Sequence, residues 1–188
     1  MIEQTLILIK HDGVVRGLIG EIVKRFENIG LKIAAMKMVW ASDKTAENHY
    51  VVTTEWANDV FNKAKKAAEN AKRDFPYDDA KKYALDIQKK NINFLKEGPV
   101  VAIVFQGHHS VELGRKLVGT TEPRQAAPGT IRGDFMLDSY KTADTKARSL
   151  RNLVHASGSP NEAKREIPLW FSKNEIHSYE KELDKHHT

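Results

Sequence analysis

The residues best suited to chemistry lie in Arg151-Asn152-Leu153-Val154-His155-Ala156-Ser157, where a histidine closes a short apolar run and small residues follow. Leu153 and Val154 can anchor the imidazole from behind at the lip of the core. Asn152 and Ser157 offer hydrogen-bonding groups that could hold a polar ligand beside the ring. A lone histidine in such a place is more often structural, so its meaning depends on what the chain brings to it. Phosphate-handling groups recur at chain turns: Lys10 where the first apolar run ends, Arg115, Thr121 and Arg132 around a long loop, and Asn152 beside the histidine. Taken singly, basic residues at loops are usually just solvated.

Three decoys fail. Gly114 to Thr121 has the glycine spacing of a phosphate-binding P-loop, but Thr120 stands where that motif needs lysine, and Gly114 falls inside a helical stretch. Gly133-Asp134-Phe135 is only a scrambled echo of the kinase Asp-Phe-Gly. No HExxH motif and no cysteine cluster announces a protein-built zinc or other metal site.

The elements that must position these residues belong to a chain of 188 residues, enough for one domain with a good core. Lys plus Arg number 30 against 25 Asp plus Glu, so an anionic partner such as phosphate, nucleotide or nucleic acid is expected, although solubility alone explains the excess. The absence of cysteine removes disulfides and thiolate chemistry. Met1 leads directly into Thr5 to Ile9 without a basic segment, and no long apolar stretch appears later; the cytosol is the expected location, with no membrane partner.

Thr5 to Ile9 reads as a strand covered on both faces, and Lys10 to Gly17 as a turn that projects Lys10 from the strand's exit. Leu18, Ile22, Phe26 and Ile29 recur at helical spacing before Gly30. Leu31 to Trp40 alternates as a second strand, and Ser42 caps a short helix ending at Tyr50. Between Thr53 and Glu97 the composition predicts a surface helical hairpin, broken at Pro76 and recapped by Asp78. Val100 to Phe105 reads as a central strand and Ser110 to Val118 as an amphipathic helix. A long loop from Gly119 to Phe135 follows, then a polar excursion from Met136 to Leu150 and the histidine segment as a last short strand. Ser159, Pro160 and Glu162 start a helix through a capping box; it carries Glu166 and ends near Pro168, ahead of a polar tail from Ser172 to Thr188. Without the two excursions the order is βαββαβ. That predicts an α+β fold, a four-stranded antiparallel ferredoxin-like sheet with helices on one face.

Three stretches together resemble the nucleoside diphosphate kinase family: Ile9-Lys10-x-Asp12-Gly13-Val14-x-Arg16-Gly17, Ala127 through Phe135, and Asn152-Leu153-Val154-His155-x-Ser157. The resemblance covers nearly the whole chain, residues 1–188 as one domain, apart from insertions at about 53–96 and 136–150 and the tail. It implies that His155 is the nucleophile that takes the terminal phosphoryl group of a nucleoside triphosphate and passes it to a nucleoside diphosphate. Neutral imidazole suits this, having a free lone pair near pH 7. The resemblance further implies that Glu166 holds the other ring nitrogen. Lys10, Arg115, Thr121 and Arg132 would bind phosphates with a magnesium ion carried by the nucleotide, and Tyr50 would orient Lys10. Asn152 would reach the sugar 3′ hydroxyl, and Ser157 would support Glu166 or the phosphate. A homo-oligomer, hexamer or tetramer, is implied as well.

The chain departs from the family at His11, where proline is usual, and at Ala156, which replaces a glycine. The aromatic that stacks on the base stays open among Phe61, Phe75, Tyr77 and Phe94. Two other readings remain: a basic ferredoxin-like nucleic-acid-binding module, and a weakly active family scaffold. Val100 to Phe105 lacks the aromatic-rich signature of RNA-binding sheets, so nucleic acid is not the expected partner.

Overall fold

The computed structural model describes residues 2–70 and 72–181; His186 and His187 of the tail lie outside the described residues. Thr5 to Ile9 is the inner half of β1 (Ile2–Ile9), and Leu6 through Ile9 are all fully buried, as a strand covered on both faces requires. There follow α1 (His11–Val15), α2 (Ile19–Asn28), β2 (Lys32–Val39), α3 (Asp43–His49), α4 (Thr54–Asn70) and α5 (Ala80–Leu95). Then come β3 (Val100–His108), α6 (Ser110–Val118), α7 (Ile131–Phe135), α8 (Tyr140–Thr145), β4 (Val154–Ala156) and α9 (Pro160–Trp170). Among the described residues the four strands form one sheet in the order β2-β3-β1-β4, with every neighbouring pair antiparallel. This is the ferredoxin-like βαββαβ arrangement.

Helices cover both faces of the sheet, not one as expected. Because side chains alternate along a strand, Ile7 and Ile9 pack with Ile22 and Phe26 of α2 and Val118 of α6. Leu6 and Leu8 pack instead with Ala46 of α3, Leu95 of α5 and Ile167 and Trp170 of α9. Phe26 stacks on Phe105 at 4.5 Å between ring centroids. Burying each such ring stabilises the fold by about 1.5–3 kcal/mol. Helix α2 stops at Gly30, whose φ of +90° lets its own N–H reach Glu27 O and the N–H of Leu31 reach Phe26 O.

Other expectations shift locally. The stretch after Lys10 is a short helix rather than an open turn, ended by Gly17 at φ +68°. The second helix of the hairpin is capped by Asp79, one residue past the expected Asp78, whose Oδ1 accepts from Lys82 N at 2.6 Å. The long loop holds a 3-10 turn, Pro123–Gln125, and ends in α7. Helix α9 runs through Pro168 to Trp170, because Ile167, Trp170 and Phe171 are buried in the core and Phe171 N still donates to Ile167 O. Its N-terminus is capped by Ser159, but Glu162 reaches back to Gly158 N at 2.9 Å instead of closing the reciprocal box. The two excursions touch: Arg73 after α4 meets Asp144 of α8 at 3.2 Å, and Ser149 Oγ donates to Asn91 Oδ1 of α5 at 2.6 Å.

His11 packs its ring over Gly98, at the junction of α5 and β3, so closely that a Cβ on residue 98 would lie 1.9 Å from His11 Nδ1. The imidazole fills space that only a glycine leaves free. Gly98→Ala is expected to lower stability by about 1–3 kcal/mol. Combining it with His11→Ala should recover most of that loss, and denaturation of the four proteins of this double-mutant cycle measures the coupling; additive effects would rule out the contact.

Candidate active site

Strand β4 is only three residues long and lies on the free edge of β1, with Leu8 opposite His155 and Ile9 opposite Val154. Paired residues share a sheet face, so His155 emerges on the Leu6 and Leu8 side, beneath α9 and α3, while Val154 and Ala156 join the opposite core. Ala156 sits in regular strand pairing with Ile7 and needs no glycine-like backbone. Just before the strand, Leu153 is held at φ +64° in a γ-turn, its centre bridged by Val154 N donating to Asn152 O at 2.7 Å. Both backbone groups of Leu153 are clamped by the segment after β1: Lys10 N donates to its carbonyl at 2.7 Å, and its N–H donates to Asp12 Oδ2 at 3.1 Å.

His155 Nε2 lies 3.0 Å from Glu166 Oε2, on the second turn of α9. The carboxylate is 2% exposed and also accepts from Ser157 Oγ at 2.6 Å, while Ser157 Oγ itself accepts from Leu6 N. Burial pushes the Glu166 carboxyl up, but the bonds from His155 and Ser157 and the nearby Arg165 guanidinium outweigh it and hold the group below its ordinary value. Glu166 is therefore ionised at neutral pH. An ionised carboxylate can only accept, so Nε2 carries the ring hydrogen and Nδ1 keeps its lone pair.

The cationic groups gather on the other side of the γ-turn. Lys10 Nζ donates to Asn152 Oδ1 at 2.7 Å, rather than to Tyr50, and Asn152 Nδ2 donates to Thr121 O at 3.1 Å. Arg132, on α7, donates to the carbonyls of Asn152, Gly119 and Val154. Three of the five guanidinium hydrogens are thus used, and two remain for a ligand. Burial, helped by Arg132 and Arg151 against an opposing Asp12, lowers the Lys10 ammonium to about 8. Burial and the neighbouring Arg115 lower Arg132 to about 10. Arg115 and Thr121 are exposed at the rim. Tyr50 is half-buried, its phenol raised by burial and by the Glu166 and Asp12 carboxylates.

Sequence reasoning left Phe94 open as a base-stacking ring and missed the parts played by Asp12 and His49. Phe94, fully buried, lies under two cations, with Arg151 at 4.2 Å and Lys10 at 5.3 Å from its ring centroid, so it is a platform and not a free base-stacking ring. Phe61, Phe75 and Tyr77 cluster with Tyr83 in the helical hairpin. Asp12 clamps the γ-turn. His49, 3% exposed, sets its ring edge-on to that of His155 at 4.4 Å between centroids, and Trp170 Nε1 donates to its Nδ1 at 3.5 Å. Its position directly before Tyr50, at the end of a capped helix, was the one available signal.

A family model described as nucleoside diphosphate kinase matches residues 3–71 and 63–176, two stretches that overlap in α4. A nucleoside diphosphate kinase of Pyrobaculum aerophilum is 44% identical over 179 residues, covering 93% of this chain and 98% of that protein. One from Borreliella burgdorferi is 38% identical over 188 residues, 100% of this chain and 98% of the relative. The crystal structure of the Pyrobaculum aerophilum NDP kinase superposes with a TM-score of 0.90 over 95% of this chain and 100% of that one at 42% identity. A Borrelia burgdorferi nucleoside-diphosphate kinase, solved as a transition state mimic with bound vanadate and ADP, gives 0.81 over 98% and 96% at 37% identity. With a model match across most of its length and relatives of this identity, the chain belongs to the nucleoside diphosphate kinase family.

Proposed function

We propose that the protein moves the terminal phosphoryl group of a nucleoside triphosphate to a nucleoside diphosphate by ping-pong exchange through a phosphohistidine on His155. The observation that carries this reading is the 3.0 Å contact between His155 Nε2 and the buried, ionised Glu166, which leaves Nδ1 as the nucleophilic nitrogen. Nδ1 forms a bond to the γ-phosphorus as the bond from that phosphorus to the β-phosphate oxygen breaks, and the diphosphate leaves with the electron pair. The ring gains positive charge, which Glu166 offsets across Nε2–H, and Ser157 fixes the carboxylate. A second diphosphate reverses the step.

Lys10, Arg132, Arg115 and Thr121 hold the phosphates, the two free hydrogens of Arg132 meeting oxygens of the transferring group. Asn152, released from Lys10 by the incoming phosphates, takes the sugar 3′ hydroxyl, and Tyr50 helps orient Lys10. Asp12 and Asp138, the acids bordering the grip, already accept backbone N–H groups. In this reading Mg2+ enters on the nucleotide phosphates rather than on a protein site. The vanadate and ADP of the Borrelia burgdorferi structure support the same chemistry here. Residues 1–188 form one domain in this reading, with insertions at about 53–96 and 136–150, working in the cytosol; no described helix is long and apolar enough to cross a membrane. The later part of β2 supports a homo-oligomer, six or four subunits, because Met36, Met38 and Trp40 on one side are 53%, 57% and 64% exposed, whereas the C-terminal segment lies along its start, with His177 N donating to Ala34 O.

Incubation with γ-labelled ATP and magnesium should leave acid-labile, alkali-stable label on the wild type and none on His155→Ala, whose turnover falls by about 10³-fold or more. Full labelling of the variant would rule out His155 as the nucleophile. Lys10 is charged below about pH 8 and neutral above it. Accordingly, kcat/KM, which reports the free enzyme, should fall as pH rises through that value. Lys10→Arg should start lower but lose this alkaline limb. Trp40→Glu should shift the mass seen by light scattering toward smaller assemblies, and an unchanged mass would remove β2 from the interface.

A further inference from the structure

We propose that His49, His155 and Glu166 form a binding site for a transition-metal cation of the imidazole-preferring class, for which Zn2+ is the probe, and that its occupancy silences the nucleophile. One ligand atom from each of the three residues lies within 4.8 Å of the other two. Tetrahedral zinc with bonds of about 2.0–2.2 Å needs ligand atoms roughly 3.4 Å apart. The His155 to Glu166 pair stands at 3.0 Å and must open by roughly 0.4 Å, while the separations within the group, at most 4.8 Å, must close by up to about 1.4 Å, so forming the site requires the His49 ring to move inward.

The second observation is at His49 itself. Its Nε2 is buried with no hydrogen-bond partner among the described residues, on a side chain 3% exposed and packed against the His155 ring. A buried polar atom without a partner is costly and uncommon, and the phosphotransfer chemistry above gives it no task. Two imidazoles and one carboxylate suit zinc and its neighbours in the first transition row. Mg2+, a hard cation that prefers oxygen ligands, fits this set poorly, so the site is separate from the magnesium carried by nucleotide. Ligation at Nε2 of His49 moves that ring's hydrogen to Nδ1 and breaks its long 3.5 Å contact with Trp170, a weak bond to lose.

The inhibitory consequence rests on the phosphohistidine reading, whereas the binding site does not. If the cation takes Nδ1 of His155, the attacking lone pair is consumed. If it takes Nε2, the ring hydrogen moves to Nδ1 and the lone pair is lost there too.

The test is equilibrium dialysis of the full-length protein against ZnCl2, without nucleotide and with millimolar MgCl2 present. Wild type should bind one more Zn2+ per chain than His155→Ala, a variant at a partly exposed edge-strand position that leaves the core intact. His49→Gln should weaken that ion's Kd at least tenfold. The remaining histidines are common to all three proteins and cancel from the comparison. Undiminished binding by either variant overturns the site. Zinc-loaded wild type should take no label from γ-labelled ATP until a chelator removes the metal; labelling with the site full overturns the silencing. A metal-free protein that takes no label would overturn the phosphotransfer reading instead, and the dialysis result would stand.

Discussion

Leu153 sits at φ +64°, a left-handed conformation that costs a residue with a side chain about 1–3 kcal/mol and survives only where its surroundings force it. Here the forcing contacts are identifiable. Lys10 N and Asp12 Oδ2 grip its carbonyl and N–H, and its side chain is fully buried against the Ile7 and Ile9 face. The reversal at this one residue sends Asn152 toward Lys10 and Thr121 while the next residues start β4 and raise His155 on the opposite flank. Phosphate grip and proposed nucleophile are thus fixed relative to each other by backbone, not by long flexible side chains. Regular pairing along β1 could not turn the chain this sharply.

The imidazole is steadied by a different kind of constraint. A carboxylate 2% exposed is unstable unless its charge is matched, and Glu166 is matched by a ring N–H, a hydroxyl and the Arg165 guanidinium at 3.4 Å. Ser157 links this arrangement to the sheet, since its hydroxyl donates to Glu166 and accepts from Leu6 N. Strand β1 therefore supports both halves of the site: its end carries Lys10, and its middle anchors the group that holds Glu166. That dual role explains why four successive apolar residues, Leu6 to Ile9, are buried without exception.

Much of this was legible in the sequence because it rests on short-range signals. The run Thr5 to Ile9, the period of α2, the Ser42 and Ser159 caps and the spacing of Ser110 to Val118 each report a local preference that the tertiary structure keeps. Lys10, Arg132, Asn152, His155, Ser157 and Glu166 were legible through motif wording, and hydrogen bonds link them into two adjoining networks. What stayed hidden depends on contacts between distant segments. Nothing local marks Leu153 as left-handed, since leucine has no such preference; Asp12 imposes it from 141 residues away. Pro168 looks like a helix end, yet the buried Trp170 and Phe171 draw one more turn out of α9. His49 and Phe94 look like ordinary core residues until the rings and cations they touch are known.

Lys10, Arg132, Arg115 and Arg151 crowd one side of the γ-turn. Burial and mutual repulsion lower both Lys10 and Arg132, with Asp12 the acid that opposes this at each of them. Phe94 gives Lys10 and Arg151 a favourable ring face and Glu97 pairs with Arg151 at 2.8 Å, but a quadrupole cannot neutralise the charge of Lys10. The three carbonyls on Arg132 likewise satisfy hydrogen bonds without supplying a counter-charge. The buried Lys10 and Arg132 are therefore held among neutral acceptors, Asn152 Oδ1 for the one and three carbonyls for the other, with no hydrogen-bonded carboxylate among the described residues. In the proposed reaction a nucleotide polyphosphate brings its negative charge to these groups, whose positions the fold already fixes. In that reading the same field acts on whatever charge develops at the transferring phosphoryl group, so the groups that would hold the phosphates are also those that would favour their transfer.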